Sequence, residues 1–156
     1  MFAFAFGILL LPWFLWQNNT FDHYAIDTSP TGASMRRVLH VGPCNTPGGM
    51  AKVIEILSQN PPNGWITDIL DSHSKGNALI KLLAWRKAKR YLKNHAREFD
   101  IIHVHSAAGW SYRRKLSLAR IALKQKTQVV FHIHSGQFDQ FAKQRKNVIE
   151  ELQSVN

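Results

Sequence analysis

The strongest constraint on this chain is a regular alternation, from Arg37 onward, of short apolar runs with longer amphipathic stretches. The runs are of the branched, apolar kind that strands buried on both faces of a sheet need. They cover residues 38–41, 65–70, 100–105 and 127–134. A stretch with helical periodicity follows each run, which is the pattern of a mostly parallel sheet covered by helices. The sequence therefore predicts an α/β domain with helices on both faces of the sheet.

The first strand, loop and helix of this pattern lie within residues 37–59. Gly48 and Gly49 end the loop, and one apolar stripe follows at helical spacing, formed by Met50, Val53, Ile54 and Leu57. Because glycine has no Cβ, a ligand can approach this backbone closely, and the N–H groups of the first helical turn favour a phosphate or carboxylate. The alternative is that these glycines are only turn residues. The loop has neither a Walker A ending nor the G-x-G-x-x-G of dinucleotide-binding proteins.

Two of the predicted helices are strongly basic. Residues 76–95 place six apolar side chains on one side, namely Ile80, Leu83, Ala84, Ala88, Tyr91 and Leu92. The other side carries the basic residues Arg86, Lys89, Arg90, Lys93 and Arg97. A second basic helix is predicted over residues 113–126, and a last amphipathic helix over residues 138–152.

The formal net charge of +10 and the pI near 10.1 indicate partners that carry negative charge. No recognised nucleic-acid-binding motif is present, so nucleic acid is not predicted as a partner. Leu82 and Trp85 sit beside the basic face, and a helix that combines cationic and aromatic residues can lie on an anionic membrane. The membrane-surface candidates are Leu82, Trp85, Arg86, Lys89, Arg90 and Lys93. The alternative is an ordinary solvated charged face.

The beginning of the chain has a different composition. Residues 2–16 form an uncharged apolar run, interrupted by Pro12, that is shorter than the about 20 residues a straight spanning helix needs. A polar, turn-rich stretch follows it. We therefore expect a boundary near Met35, with an apolar segment and linker over residues 1–35 and a domain over residues 36–156. The apolar segment is either a loose membrane anchor or not part of the working protein.

Two H-x-H pairs end predicted strands, one formed by His103 and His105 and the other by His132 and His134. A period of two puts both members of a pair on the same face of the sheet. The pairs can be read as zinc ligands or as packed, hydrogen-bonded side chains. We expect His105 and His134 at the mouth of a site, and the inner members to be structural. No metal is predicted, since Asp139 is the only candidate carboxylate that closely follows either pair.

Three loops follow the carboxyl ends of predicted strands, at residues 42–49, 106–110 and 135–138. In open α/β sheets, ligands bind outside the carboxyl ends of the strands, where the strand order reverses. Right-handed crossovers would bring the three loops to one edge of the sheet. We therefore expect the binding site at that edge.

Three segments at these positions carry a resemblance: RVLHVGPCNTPGGMAKVI, DIIHVHSA and VVFHIHSGQF. In this order and at these separations they resemble the N-terminal half of the group 1 (family 4) glycosyltransferases. The resemblance covers Arg37 to about Phe141. It implies one Rossmann-like half of the GT-B architecture, in which two such halves face a cleft. It also implies transfer of a sugar from a nucleotide-sugar, with retention of configuration and without a catalytic metal.

The resemblance further implies roles for individual residues. Gly48 and Gly49 would line the donor phosphates and the acceptor, and His134 would be the catalytic histidine of the cleft. The other substrate-binding candidates are His105, Ser106, Ser135 and Gly136. The nucleotide-sugar is a co-substrate, no cofactor is implied, and the acceptor is a glycan or a lipid-linked molecule. The implied location is cytoplasmic and peripheral, at the inner face of the membrane.

The family's second half, which holds most nucleotide-sugar contacts and a Glu-x7-Glu motif, has no counterpart here. Glu150 and Glu151 lie in the wrong place to supply that motif. We therefore expect a missing C-terminal domain or a partner chain, and no activity from this chain alone. Two other functions stay open. One is a non-catalytic, membrane-recruiting subunit of a split transferase, and the other is a zinc-dependent hydrolase that uses the two H-x-H pairs.

Overall fold

The computed structural model describes residues 34–145 and 147–155, which fold around one four-stranded sheet. The strands are β1 (Arg36–Gly42), β2 (Trp65–Asp71), β3 (Ile101–Ser106) and β4 (Gln128–Ile133). Their order is β2-β1-β3-β4, and every neighbouring pair is parallel. This confirms the predicted α/β class and the parallel sheet of a Rossmann-like half-domain.

Helices connect the strands and follow the last one. They are α1 (Gly49–Gln59), α2 (Ala78–His95), α3 (Trp110–Lys124), α4 (Phe138–Lys143) and α5 (Val148–Gln153). A 3₁₀ turn, Ala96–Glu98, extends α2. With the right-handed crossovers that parallel strands adopt, α1 covers one face of the sheet, and α2 and α3 pack together on the other.

The two faces of the central strands carry different side chains. One face contributes four buried residues to the apolar core, Leu39, Val41, Ile102 and Val104. Ala88 and Leu92 of α2 pack in the same core. The alternate positions of β1 include His40 and Gly42, and a Cβ at Gly42 would collide with Ile54 of α1. The face that α1 covers is therefore the one that carries histidine, and Gly42 leaves room for the Ile54 side chain.

The first turns of α2 lie outside this core. Ile80 is 44% exposed and Leu83 is 64% exposed, whereas the sequence predicts both on the packed side of the helix. Ala88 and Leu92, further along the same side, are buried as predicted. The core holds α2 only from Trp85 onward. Helical periodicity indicates which face of a helix is apolar but not where the neighbouring elements end.

The prediction of one last helix over residues 138–152 is wrong, because the chain forms the two short helices α4 and α5 there. Between them the N–H of Val148 donates to the carbonyl oxygen of Arg145 (3.4 Å). The turn brings the half-buried side chains of Arg145 and Glu151 together in an ion pair of 2.6 Å. In a straight helix, residues six positions apart are displaced by about 9 Å along the axis and face different sides. The ion pair therefore needs the break.

The predicted apolar segment and linker over residues 1–35 lie almost entirely outside the described residues. β1 begins at Arg36, directly after the boundary expected near Met35. Among the helices of the described part of the chain, none is long and apolar enough to cross a membrane.

Candidate functional site

The carboxyl ends of β1, β3 and β4 meet at one edge of the sheet, as the loop positions predict. β1 pairs with β3 and β3 pairs with β4, so the loops that follow them leave from neighbouring strands. The N–H of His134 donates to the carbonyl oxygen of Ser106 (2.7 Å), which joins the last two loops. The strand order reverses between β1 and β3, since β2 lies outside β1 and β4 lies outside β3. This carboxyl edge is where α/β sheets bind ligands.

The glycine loop, residues 43–48 between β1 and α1, leaves open space at the carboxyl edge. A Cβ at Gly48, Gly49 or Gly136 would meet no other atom within 4 Å. Gly48 has a φ of 154° and directly precedes α1, whose N-terminus receives no side-chain cap. The first N–H groups of α1 can therefore donate to an anionic ligand.

A cavity of about 430 Å³ lies beside the glycine loop and is lined by Thr46, Gly48 and Ile54, among others. Thr46 Oγ1 is buried and has no hydrogen-bond partner among the described residues. A larger cavity, of about 560 Å³, opens at the amino ends of the strands beside Arg36 and Lys126. Because parallel α/β sheets bind ligands at their carboxyl ends, we place the candidate site at the smaller cavity and the neighbouring loops.

Five histidines from three strands share one face of the sheet and form the histidine cluster. They are His40 in β1, His103 and His105 in β3, His132 in β4 and His134 just after β4. The ring centroids of His103 and His105 lie 4.1 Å apart, and those of His132 and His134 lie 3.9 Å apart. The prediction that each H-x-H pair shares one face is confirmed. His40, which the sequence analysis did not select, pairs in register with His103.

Hydrogen bonds join three of these imidazoles into a chain that ends at the carboxyl edge. His40 Nδ1 lies 3.1 Å from His105 Nε2, and His105 Nδ1 lies 2.8 Å from His134 Nε2. His103 Nε2 and His132 Nδ1 form a separate pair at 3.3 Å. A neutral imidazole has one N–H donor and one acceptor nitrogen. His105 therefore donates to one neighbour and accepts from the other when all three rings are neutral.

Burial lowers the pKa values of four imidazoles in the histidine cluster. Desolvation is the main cause for each of them. Together with the neighbouring imidazoles, it lowers the pKa of His103 to about 4 and the pKa of His105 to about 2. The pKa values of His40 and His134 are lowered as well. At neutral pH these four rings form hydrogen bonds without carrying charge.

His105 does not lie at the mouth of the site, contrary to the sequence prediction, and the substrate-binding candidate Ser106 is not open to a ligand either. Both residues are fully buried, because β3 is flanked on both sides and neighbouring imidazoles cover its end. The Ser106 hydroxyl donates to the next carbonyl oxygen along the chain (2.9 Å). His134 remains partly exposed at the carboxyl edge, and Ser135 and Gly136 follow it there. His105 thus supports His134 from beneath.

Lys115 of α3 also belongs to the carboxyl edge, and the sequence analysis missed it. Its buried Nζ donates to Ser72 Oγ, which donates to the carbonyl oxygen of Gly42 (3.1 Å). Burial lowers the pKa of Lys115 to about 7. The sequence does contain a signal, since the lysine shares one apolar stripe at helical spacing with Tyr112, Leu116 and Ala119.

Cys44 and Asp71 lie close to Lys115 and hold the start of the glycine loop. Burial, with the Asp71 carboxylate adding to it, raises the pKa of the Cys44 thiol to about 11. The thiol therefore stays protonated at neutral pH and is not a nucleophile. The Asp71 carboxylate accepts hydrogen bonds from the N–H groups of Asn45 (3.3 Å) and His73 (3.0 Å).

The basic face of α2 differs from the prediction at Trp85 and Lys89. Trp85 packs against the core, and its Nε1 donates to Ser117 Oγ (3.1 Å). Lys89 Nζ lies 4.4 Å from the Trp85 ring centroid. These two side chains are therefore not presented to a membrane surface. Leu82 is 43% exposed. The exposed basic residues on its side of α2 are Arg86, Arg90 and Lys93.

Comparison of the chain with protein-family models, with curated proteins and with solved structures gave no match. The candidate site is therefore judged by its own chemistry. It combines open glycine backbone, an uncapped helix N-terminus, neutral imidazoles and a buried amine at one edge of a parallel sheet. These groups suit hydroxyl and phosphate oxygens as ligands.

Replacing Lys115 by methionine should stabilise the folded protein, because the variant no longer buries an ionisable amine. The folded-state pKa near 7 lies below the unfolded value, so the amine destabilises wild type most below pH 7 and less as the pH rises toward the unfolded pKa. We expect Lys115→Met to raise the urea midpoint at pH 6, with a smaller gain at pH 9.

Lys124→Met, at an exposed position of α3, is the matched control and should show no such pH-dependent gain. If Lys115→Met is less stable than wild type at pH 6, the amine is held by partners that favour its charged form.

Proposed function

We propose that this chain is the acceptor-side domain of a retaining glycosyltransferase with GT-B architecture, which transfers a sugar from a nucleotide-sugar to an acceptor. The proposal rests mainly on which groups lie at the carboxyl edge, next to the point between β1 and β3 where the strand order reverses. The glycine loop leaves its backbone open there, His134 lies partly exposed after β4, and the buried amine of Lys115 reaches the same edge through Ser72. An open α/β sheet offers its ligand site at this position.

The groups at the carboxyl edge match the atoms that sugars and their phosphates present. The first N–H groups of α1 favour a phosphate, since they lie at the positive end of the helix dipole. A neutral imidazole at position 134 can exchange hydrogen bonds with a sugar hydroxyl. The amine of Lys115, whose pKa is close to 7, can gain a charge when an anionic group approaches.

The segments that resemble the family 4 glycosyltransferases support the same interpretation. All three run into the carboxyl edge, through the glycine loop, through Ser106 and through Ser135. The fold of the described residues is also the Rossmann-like half-domain that the resemblance implies. The residues quoted for the resemblance therefore lie where a cleft between two halves would form.

His134 is the side chain that we assign to the reacting centre. Its Nε2 is engaged with His105 Nδ1 at 2.8 Å, and His105 is held in turn by His40 at 3.1 Å. This arrangement fixes the ring orientation of His134 and leaves its Nδ1 for a substrate oxygen. A polar group positioned in this way typically contributes about 10²-fold or more to the rate.

The exposed side of α2 supports an acceptor at a membrane surface. Leu79 and Leu82 are 67% and 43% exposed. They lie nearer the start of α2, on the side of the helix that carries Arg86, Arg90 and Lys93. Apolar and basic residues on one side of a helix suit the interface of an anionic bilayer. A lipid-linked acceptor would then lie close to the domain.

The transfer reaction is tested in an enzyme assembled by fusing this chain to the nucleotide-sugar-binding half of a family 4 glycosyltransferase. With labelled UDP- and GDP-sugars and a lipid extract as acceptor, we expect His134→Ala to lower kcat/KM by about 10²-fold or more. The variant should also lose some stability, because His105 Nδ1 loses its partner.

His95→Ala, on α2, is the matched control and should leave transfer unchanged. If a folded fusion protein with His134→Ala still transfers sugar at the wild-type rate, His134 is not part of the reacting centre. Robust transfer by the 156-residue chain alone would show that the second half is not needed.

Membrane binding is tested by sedimentation of the full chain with vesicles that contain phosphatidylserine. Each basic residue near such a surface contributes on the order of 1 kcal/mol, so Arg86→Gln, Arg90→Gln and Lys93→Gln together should weaken binding by about 10²-fold. The control neutralises three exposed lysines on other helices, Lys52, Lys124 and Lys143. An equal loss of vesicle binding in both triple variants would mean that the net charge of the protein, and not the exposed side of α2, determines membrane binding.

A further inference from the structure

We infer that His105, His132 and His134 form a binding site for a divalent transition-metal ion of the zinc class. One ring nitrogen of each residue lies within 4.8 Å of the others. The three side chains come from neighbouring strand ends, which fixes their spacing. The inference does not rest on the proposed sugar transfer, which involves no metal, but the two share His134, whose ring an ion would hold in place of the hydrogen bond to His105.

The spacing of the nitrogens suits direct coordination after a small adjustment. Zinc binds imidazole nitrogen at about 2.0–2.1 Å, so two ligands of a tetrahedral ion lie about 3.3 Å apart. His105 Nδ1 and His134 Nε2 already lie 2.8 Å apart. An ion between them replaces one hydrogen bond with two metal bonds. With the ion bound, His105 carries its hydrogen on Nε2 and donates it to His40 Nδ1, while His134 carries its hydrogen on Nδ1.

The chemistry of the ligands selects the kind of ion. In the described part of the chain, the groups able to hold an ion at this place are all imidazoles. Imidazole nitrogen suits zinc, copper and nickel, whereas magnesium and calcium need oxygen ligands. Three protein ligands leave a fourth position open for water or another ligand, as in zinc sites that are not purely structural.

A second trio, His40, His103 and His105, has nitrogens at similar spacing. We assign the ion to the outer trio because His132 and His134 are partly exposed, whereas His40 is only 4% exposed and offers no comparable entry. His40 and His103 then take a supporting role. His40 Nδ1 lies 3.1 Å from His105 Nε2, as expected of a partner that orients a metal ligand.

Metal content is measured on the full chain, purified without an affinity tag and freed of metal with a chelator. Isothermal titration with Zn²⁺ should give about one ion per chain, and Mg²⁺ should give no binding. His132→Ala and His134→Ala should each weaken zinc binding by at least about 10²-fold, since even an outer partner of a ligand is typically worth 10–100-fold. His95→Ala is the control and should bind zinc as wild type does.

X-ray absorption spectroscopy of the zinc-loaded wild-type protein gives the number and type of zinc ligands, so this test needs no substituted variant. Three imidazole nitrogens at about 2.0–2.1 Å would support the site. Failure to bind one equivalent of zinc would overturn the inference, and so would wild-type affinity in folded His134→Ala. Loss of binding in His103→Ala but not in His134→Ala would place the ion in the inner trio and overturn the assignment.

Discussion

The structure depends on one constraint, which is that four imidazoles on the α1 face of the sheet stay neutral and are hydrogen-bonded to other rings. They belong to His40, His103, His105 and His134. The backbone N–H and C=O groups of these strands are occupied by the parallel ladder, so the ring nitrogens have other rings as partners. His40, His105 and His134 meet this need in one chain. A buried polar atom without a partner costs about 1–3 kcal/mol. Each ring therefore fixes the orientation of the next.

This chain links the packed interior to the carboxyl edge. His105 is fully buried and His134 is partly exposed, so the orientation of the outer ring is set by an inner one. From the opposite face of the sheet, Lys115 of α3 reaches the same edge through Ser72. Groups held on strand ends and a packed helix are positioned more closely than groups on loops alone. This rigidity is the physical basis for placing both sugar transfer and a metal ion there.

Most of the fold could be predicted from local pattern. The four strands, the common face of each H-x-H pair and the meeting of three loops follow from periodicity and the rules for parallel sheets. The predictions were wrong where the outcome depends on what packs against a segment. Sequence could not show that neighbours cover His105, that Leu83 projects beyond the core, or that the chain turns at Arg145. Lys115 was missed because the helix over residues 113–126 was predicted only as a basic helix, without a division into buried and exposed sides.

The neutrality of the buried imidazoles is the central claim, and nitrogen-15 NMR of the histidine side chains tests it directly. Spectra of the metal-free protein are recorded from pH 7.5 to pH 5, with free imidazole as an internal reference. We expect His103 and His105 to keep the shifts of neutral rings throughout, because burial lowers their pKa values to about 4 and about 2. Protonation of His105 with a midpoint near 6.5, the value of an unperturbed imidazole, would contradict the account.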